Sequence, residues 1–249
     1  MRIAALCATY KRPLLLGRAI HCFLADPYEN AKLFVLDDTG GFENKDYGRW
    51  QMVSVPTRYP DLGTKRAALV DLIDSSFDAF VIRDEDDVFW PHALTCQAKA
   101  LEEKPWTQPD FVYEQFGDSL GIVPAFGTGD RSIKRYFGFG GAWGYRLKEY
   151  REVGGYRPTT AVSAHLEDIT IARTFFDKYG PSANSTPTPA EAFYYYERNT
   201  WKISEEGLDF WAKREGYPMP EYMTTPPVGW NGPSLYEMPV LPGVQARPF

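Results

Sequence analysis

The chain of 249 residues has no run of about 18 apolar residues, so an ordinary membrane-spanning helix is not expected. Its start, Met1-Arg2-Ile3, enters an apolar stretch of only a few residues, so a secretory leader is not expected either. Cysteine is scarce. Cys7, Cys22 and Cys96 are odd in number and form no CxxC pair, which argues against a disulfide framework and a structural zinc site. Small buried thiols in a reducing cytoplasm are the simplest reading. No Ser-His-Asp or HxxxH arrangement is evident among the three histidines, His21, His92 and His165. Neither a phosphate-binding P-loop nor a GxGxxG turn follows the first apolar run, so a Walker-type NTPase and a Rossmann dehydrogenase are unsupported. Basic excess is also missing. With 33 acidic and 27 basic side chains the net charge is −6, which disfavours a broadly basic nucleic-acid binder.

What is abundant is aromatic. Seven Trp, 16 Tyr and 16 Phe make up 16% of the chain, enough for core packing or for stacking surfaces. Apolar runs at 3–9, 32–36, 52–55 and 79–82 read as strands. Between them lie helix patterns, one opening near Pro13 with Leu16, Ile20, Phe23 and Leu24 at helical spacing, another over 64–73. A third helix should follow Pro91 and run to Glu103. Alternation at these lengths implies βαβ units and a mainly parallel sheet flanked by helices. Further on, 110–115, 120–126 and 192–196 are strand candidates, and 147–153 and 169–178 are helix candidates. Gly138, Gly140, Gly141 and Gly144 form a glycine-dense loop around Trp143. Ser204 is a plausible N-cap for a last helix over 205–215. Residues 216–249 hold 8 of the 20 prolines, so regular structure is not expected there. Yet this segment keeps its aromatics and few charges, unlike a disordered tail. Residues 1–215 are therefore read as one domain, with 216–249 an irregular segment packed on it.

Three clusters sit at strand ends, where open α/β sheets hold ligands. Asp84-Glu85-Asp86-Asp87 is the sharpest, since four adjacent carboxylates repel one another unless a cation or a solvated turn relieves them. Oxygen ligands suit Mg²⁺ or Mn²⁺, with Asp84 and Asp86 the candidates. Asp37-Asp38-Thr39-Gly40 would accept from a base or ribose, or make an Asx turn. Thr9-Tyr10-Lys11-Arg12-Pro13 pairs two cations with a helix start, a place for an anion or a plain solvated loop. Glu167-Asp168 precedes or opens a helix, where acids also complement the helix dipole.

Taken in order, these pieces resemble the GT-A glycosyltransferases, in particular the inverting family-two enzymes. The resemblance runs through Thr9-Tyr10-x-Arg12-Pro13 and Asp37-Asp38, then Gly63, Lys65 and Arg66 with Ala67 in place of the usual Asn. It continues through Asp84-x-Asp86-Asp87 with Pro91, then Gly140, Gly141 and Arg146, Val153-Gly154-Gly155-Tyr156, and Glu167-Asp168. It covers residues 1 to about 180. Glu85 departs from it, replacing the small residue often found between the aspartates.

The resemblance implies a metal-dependent transfer of a sugar, with inversion, from a nucleoside diphosphate sugar to a hydroxyl acceptor. A UDP-sugar is the favoured donor. It implies that Thr9, Tyr10, Arg12, Asp37 and Asp38 hold the nucleotide, and that Arg66 reaches the pyrophosphate or braces the acidic motif. Asp84 would contact the ribose or the metal, Asp86 would ligate Mn²⁺ or Mg²⁺, and Asp168 would be the general base, with Glu167 as the exchangeable alternative. Gly141 and Trp143 would line the donor site. Trp143 and Tyr145 would stack on sugar or acceptor, with core packing as the equal alternative. The acceptor stays open among a glycan, a small molecule, a protein and a hydroxymethylated DNA base. The DNA option draws on Arg131, Lys134, Arg135, Arg146, Lys148 and Arg151. A non-catalytic nucleotide-sugar or glycan-binding module and a nucleotidyltransferase are the remaining alternatives.

Overall fold

A computed structural model describes residues 1–116, 119–124, 140–158 and 167–195. The expected helix over 205–215, the segment 216–249, Arg131, Lys134, Arg135, His165 and Gly138 lie outside the described residues.

The first four strands of the main sheet are β1 (Ile3–Thr9), β2 (Ala31–Asp37), β3 (Lys45–Asp46) and β4 (Trp50–Ser54). They are joined by β5 (Ala79–Ile82), β7 (Trp106–Gln108), β10 (Gly144–Arg146) and β11 (Ala183–Asn184). The spatial order is β11-β7-β10-β5-β1-β2-β4-β3. β5, β1, β2 and β4 run parallel, while β10 is antiparallel to both of its neighbours. A smaller sheet orders β6 (Val88–Phe89), β12 (Tyr194–Tyr195), β8 (Phe111–Phe116) and β9 (Ser119–Pro124).

The helices are α1 (Pro13–Ala25), α2 (Leu62–Asp71), α3 (Ala93–Glu103), α4 (Leu147–Glu152) and α5 (Glu167–Tyr179). Every residue of β1 is buried, because the sheet is covered on both faces. Ile3, Ala5 and Cys7 pack with Leu16, Ile20 and Phe23 of α1 and Leu94 and Leu101 of α3. Ala4, Leu6 and Ala8 point the other way, against Leu69 and Val70 of α2 and Ile171 and Phe175 of α5. Parallel strands buried on both faces and covered by helices make the expected α/β layering. Among the described residues no helix is long and apolar enough to cross a membrane.

Boundaries moved where local chemistry outweighs periodicity. α2 starts at Leu62, two residues earlier than its pattern suggests, because the Asp61 carboxylate caps Thr64 N at 2.8 Å. α5 begins at Glu167 rather than 169, which places both acids inside its first turn. The glycine-dense stretch is more than a loop. Gly140–Ala142 is a single 3-10 turn, and β10 follows it directly. A Cβ on Gly144 would lie 3.0 Å from Val81 Cγ1 and 3.1 Å from Thr107 Cγ2, so a side chain there would crowd both neighbouring strands. The strand expected over 192–196 is reduced to Tyr194–Tyr195 in the described residues, since Pro189–Glu191 turns just before it.

Candidate active site

The parallel register brings the C-terminal ends of β1, β2 and β5 side by side, with Thr9 opposite Asp37 and Leu6 opposite Ile82. All three acidic or basic strand-end clusters therefore share one edge of the sheet. At its β2 side, buried Asp37 closes an Asx turn, its Oδ2 accepting from Thr39 N and Oγ1 and from Ser54 Oγ at 2.6 Å. Asp38 behaves differently. Its Oδ1 meets Lys65 Nζ at 2.5 Å and its Oδ2 accepts Tyr59 N at 3.0 Å. Lys65 also donates to Thr9 O, so one buried ammonium ties the ends of β1 and β2 together. In the sequence Lys65 stands out only as part of a motif; its role follows from α2 packing across the edge.

The acidic loop after β5 is held from both sides. Arg12 Nη1 donates to Glu85 Oε1 at 3.2 Å and to Asp86 Oδ2 at 3.1 Å. Buried Arg18, from α1, donates to Asp86 O at 2.9 Å. Asp87 accepts the Tyr194 hydroxyl at 2.7 Å. Asp84 receives a two-pronged contact from Arg66 Nη2, at 3.0 and 2.9 Å. Arg66 Nη1 reaches Glu167 Oε1 at 2.8 Å, so a single buried guanidinium joins the acidic loop to the first turn of α5. Tyr194 and Arg18 carried no signal in sequence, because their partners lie 107 and 68 positions away.

Glu85 is buried, as is Asp87, and burial pushes the Glu85 carboxyl from the ordinary 4.5 to about 8, with Arg12 pulling against this and Asp86 and Asp84 adding to it. The folded state then holds this proton between about pH 4.5 and 8 while the unfolded chain does not. Metal-free stability should therefore fall as pH rises through that window, and Glu85→Gln should flatten the fall. Chemical denaturation with EDTA at a series of pH values measures both slopes.

Asp168 sits half-buried beside its neighbour, and burial also raises its carboxyl above the ordinary range, against the pull of Arg66. Its Oδ1 accepts Ile169 N at 2.7 Å. Its Oδ2 faces the glycine turn. A Cβ on Gly140 would lie 2.0 Å from that oxygen, and one on Gly141 would lie 2.4 Å from Asp87 Oδ2 and 3.1 Å from Asp84 Oδ2. Backbone without side chains is thus what lets the acidic loop and the start of α5 approach one turn from opposite sides.

Some expected members are placed elsewhere. Trp143 is 1% exposed and Tyr145 fully buried, both packed in the core with Phe80 and Phe175, so of the two readings the core one holds. Arg146 donates to Leu101 O and Glu102 O at the end of α3. Lys148 and Arg151 are exposed on α4. Tyr10 is partly exposed at the end of β1, with Arg58 4.0 Å over its ring. His21 is exposed on α1, and His92 contacts Glu191 O at 3.3 Å. Among the described residues no group of three or more His, Cys, Asp or Glu is gathered as a metal cage.

No protein-family model matches the sequence, and a search of curated proteins finds no match. Solved structures do match. S. aureus TarS 1-349 superposes with a TM-score of 0.58 at 13% identity, over 78% of this chain and 60% of that one. The same protein in complex with UDP gives 0.60 at 12% identity, over 81% and 62%. The mannosyltransferase PcManGT from Pyrobaculum calidifontis, in complex with GDP-Man and Mn²⁺, gives 0.54 at 15% identity, over 86% and 60%. The match spans less than two thirds of each of these neighbours' own length. At such identities the likeness speaks for architecture, and it agrees with the ordered motifs: the chain has the GT-A glycosyltransferase fold.

Proposed function

We propose that this protein is a glycosyltransferase that moves a sugar from a nucleoside diphosphate sugar to a hydroxyl acceptor, with inversion. The observation that carries the reading is the meeting of Asp84–Asp87 and Asp168 around one glycine turn, with Arg66 joining Asp84 to Glu167 beside it. TarS with UDP-GlcNAc and PcManGT with GDP-Man show the same architecture holding such donors.

The strand-end edge of β1 and β2, with Thr9, Tyr10, Asp37, Asp38 and Lys65, supports the nucleotide end. Arg12 stands between this edge and the acidic loop, where its guanidinium suits phosphate oxygens. Gly141 lines the approach to Asp84. Arg66 has its donors on two carboxylates, so it braces the site rather than reaching for the pyrophosphate.

A divalent cation fits the donor set. Asp84 and Asp86 keep 23% and 18% of their side chains exposed, and hard oxygen ligands in pairs suit Mg²⁺ or Mn²⁺ shared with a diphosphate rather than caged by protein. When bound there, the cation would offset charge on the leaving diphosphate.

Asp168 then has the remaining task. Its raised carboxyl is poised to take the acceptor hydroxyl's proton as that oxygen attacks the anomeric carbon from the face opposite the leaving group. Glu167 is buried on Arg66 and is the less suited of the pair.

The test is release of UDP or GDP from a panel of nucleotide sugars with Mn²⁺. Release that is lost with EDTA and reduced by Asp86→Ala, by about a hundredfold or more, is the expected result. Absence of both binding and release for every donor overturns the reading.

A further inference from the structure

Arg83, immediately before the acidic motif, has no part in the reaction as derived, yet it is 4% exposed and charged. Its guanidinium lies 4.0 Å over the Phe89 ring, donates through Nη1 to Ile82 O at 3.2 Å and through Nη2 to Gln97 Oε1 at 2.6 Å. Among the described residues it forms no ion pair. Burying a cation is costly, and the buried Asp26 carboxylate offsets this only through space, without a direct ion pair. An apolar side chain would fill that place without the cost, so the cation calls for a purpose.

Gln97 supplies the next link. It is fully buried on α3, and its Nε2 donates to Ala142 O at 2.8 Å. An amide side chain fits either way round by shape. A guanidinium can only donate, so it pairs with the oxygen end alone, and Arg83 dictates that Nε2 faces Ala142. That carbonyl closes the Gly140–Ala142 turn. The next residue, Trp143, receives Ile82 N on its own carbonyl at 2.9 Å, which fixes the far side of the turn to β5. The turn is the spacer against which Asp168 rests on one side and Asp87 and Asp84 on the other.

We propose that Arg83 and Gln97 are positioning residues that set the separation between the acidic loop and Asp168 by holding the Gly140–Ala142 turn. The proposal rests on the glycosyltransferase reading above. It adds two residues outside the ordered motifs to that reaction. Neither touches donor or acceptor; both act through the turn. Because no methyl group fits between turn and carboxylates, a small displacement of the turn is passed directly to Asp168, and misplacements of this kind cost about 10- to 100-fold in rate.

Gln97→Glu tests this with little change of shape. It gives Arg83 a carboxylate partner and replaces the donor facing Ala142 O by an acceptor. If the pair serves only the core, the variant should differ from the parent in stability alone and stay equally active. Positioning predicts, beyond any stability lost with the bond to Ala142 O, unchanged Kd for UDP-GlcNAc or GDP-mannose with Mn²⁺ and about a tenfold or larger fall in kcat for nucleotide release. Arg83→Met/Gln97→Glu adds a readout that a structural role would not move. Without Arg83, the buried carboxyl keeps its proton and donates it to Ala142 O, so kcat relative to that of the parent at the same pH should recover at low pH and fall as pH rises. If Gln97→Glu does not fold, Gln97→Met, which removes the same donor without a charge, carries the same kcat-against-Kd comparison. An active parent whose folded Gln97 variants keep full kcat overturns the positioning role alone. A parent that neither binds nor cleaves any donor overturns the reading beneath it as well.

Discussion

Asp168→Asn is expected to keep its fold and its donor and to lose sugar transfer by about 10²- to 10⁴-fold, the usual worth of a positioned general base. The substitution preserves shape. Asn still offers an oxygen to Ile169 N, which the carboxylate accepts at 2.7 Å, so the first turn of α5 keeps its bond. What is lost is the capacity to hold a proton. With that oxygen kept on Ile169 N, the amide nitrogen takes the place of Oδ2, facing Gly140. The companion variant separates the two acids. Glu167→Gln removes half of the charge that balances buried Arg66, so its main effect should be on stability, with a smaller loss of turnover. The measurement is kcat and donor Kd for both variants beside a denaturant unfolding curve. A Glu167→Gln protein that is stable but dead, with Asp168→Asn active, would exchange the two roles. In the parent, kcat should rise with pH through the raised Asp168 carboxyl, because the base works only after losing its proton.

The strands of the parallel core were readable because each is a nearly unbroken apolar run bounded by charged or glycine-rich turns. β1 and β5 are placed where their residues suggest, and the strand-end clusters fall at one edge as a parallel sheet requires. β7, β10 and β11 were not readable. They have two or three residues each and are strands only through their pairing, on both sides for β7 and β10 and on one side for the edge strand β11. Trp143 illustrates the limit in the site. A tryptophan in a glycine-rich stretch looks the same in sequence whether it faces sugar or core, and the antiparallel pairing of β10 with β5 decides for the core. Charge partners were partly legible. Asp84, Asp86, Glu167 and Asp168 stand out as acids in unusual places, but which cation serves which acid depends on α1 and α2 crossing the edge. Arg66 joins residues 18 positions away on one side and 101 on the other. Local pattern carries no record of such distances.

That double reach makes Arg66 the position where a single change should weaken the protein most. Arg66→Met fits the same volume and leaves Glu167, with 4% of its side chain exposed, as a buried carboxylate without its cation. Breaking a buried pair from one side costs about 3–5 kcal/mol, and most of it should come from Glu167 because Asp84 keeps partial contact with water. Glu167 has one escape, which is to keep its proton. Burial already raises this carboxyl in the parent, and with the cation gone the largest opposing influence is lost, so it titrates higher still in the folded state. The folded form then holds the extra proton, and the deficit grows as pH rises above the ordinary glutamate range. Urea unfolding of parent and variant from pH 5 to 8 should show curves that diverge with pH. Arg66→Met/Glu167→Gln should recover much of the stability at pH 8, since the stranded charge is removed. Transfer should stay low in the double variant even so, because Asp84 and the first turn of α5 are no longer joined. A double variant with parental turnover would show that the bridge serves the fold alone.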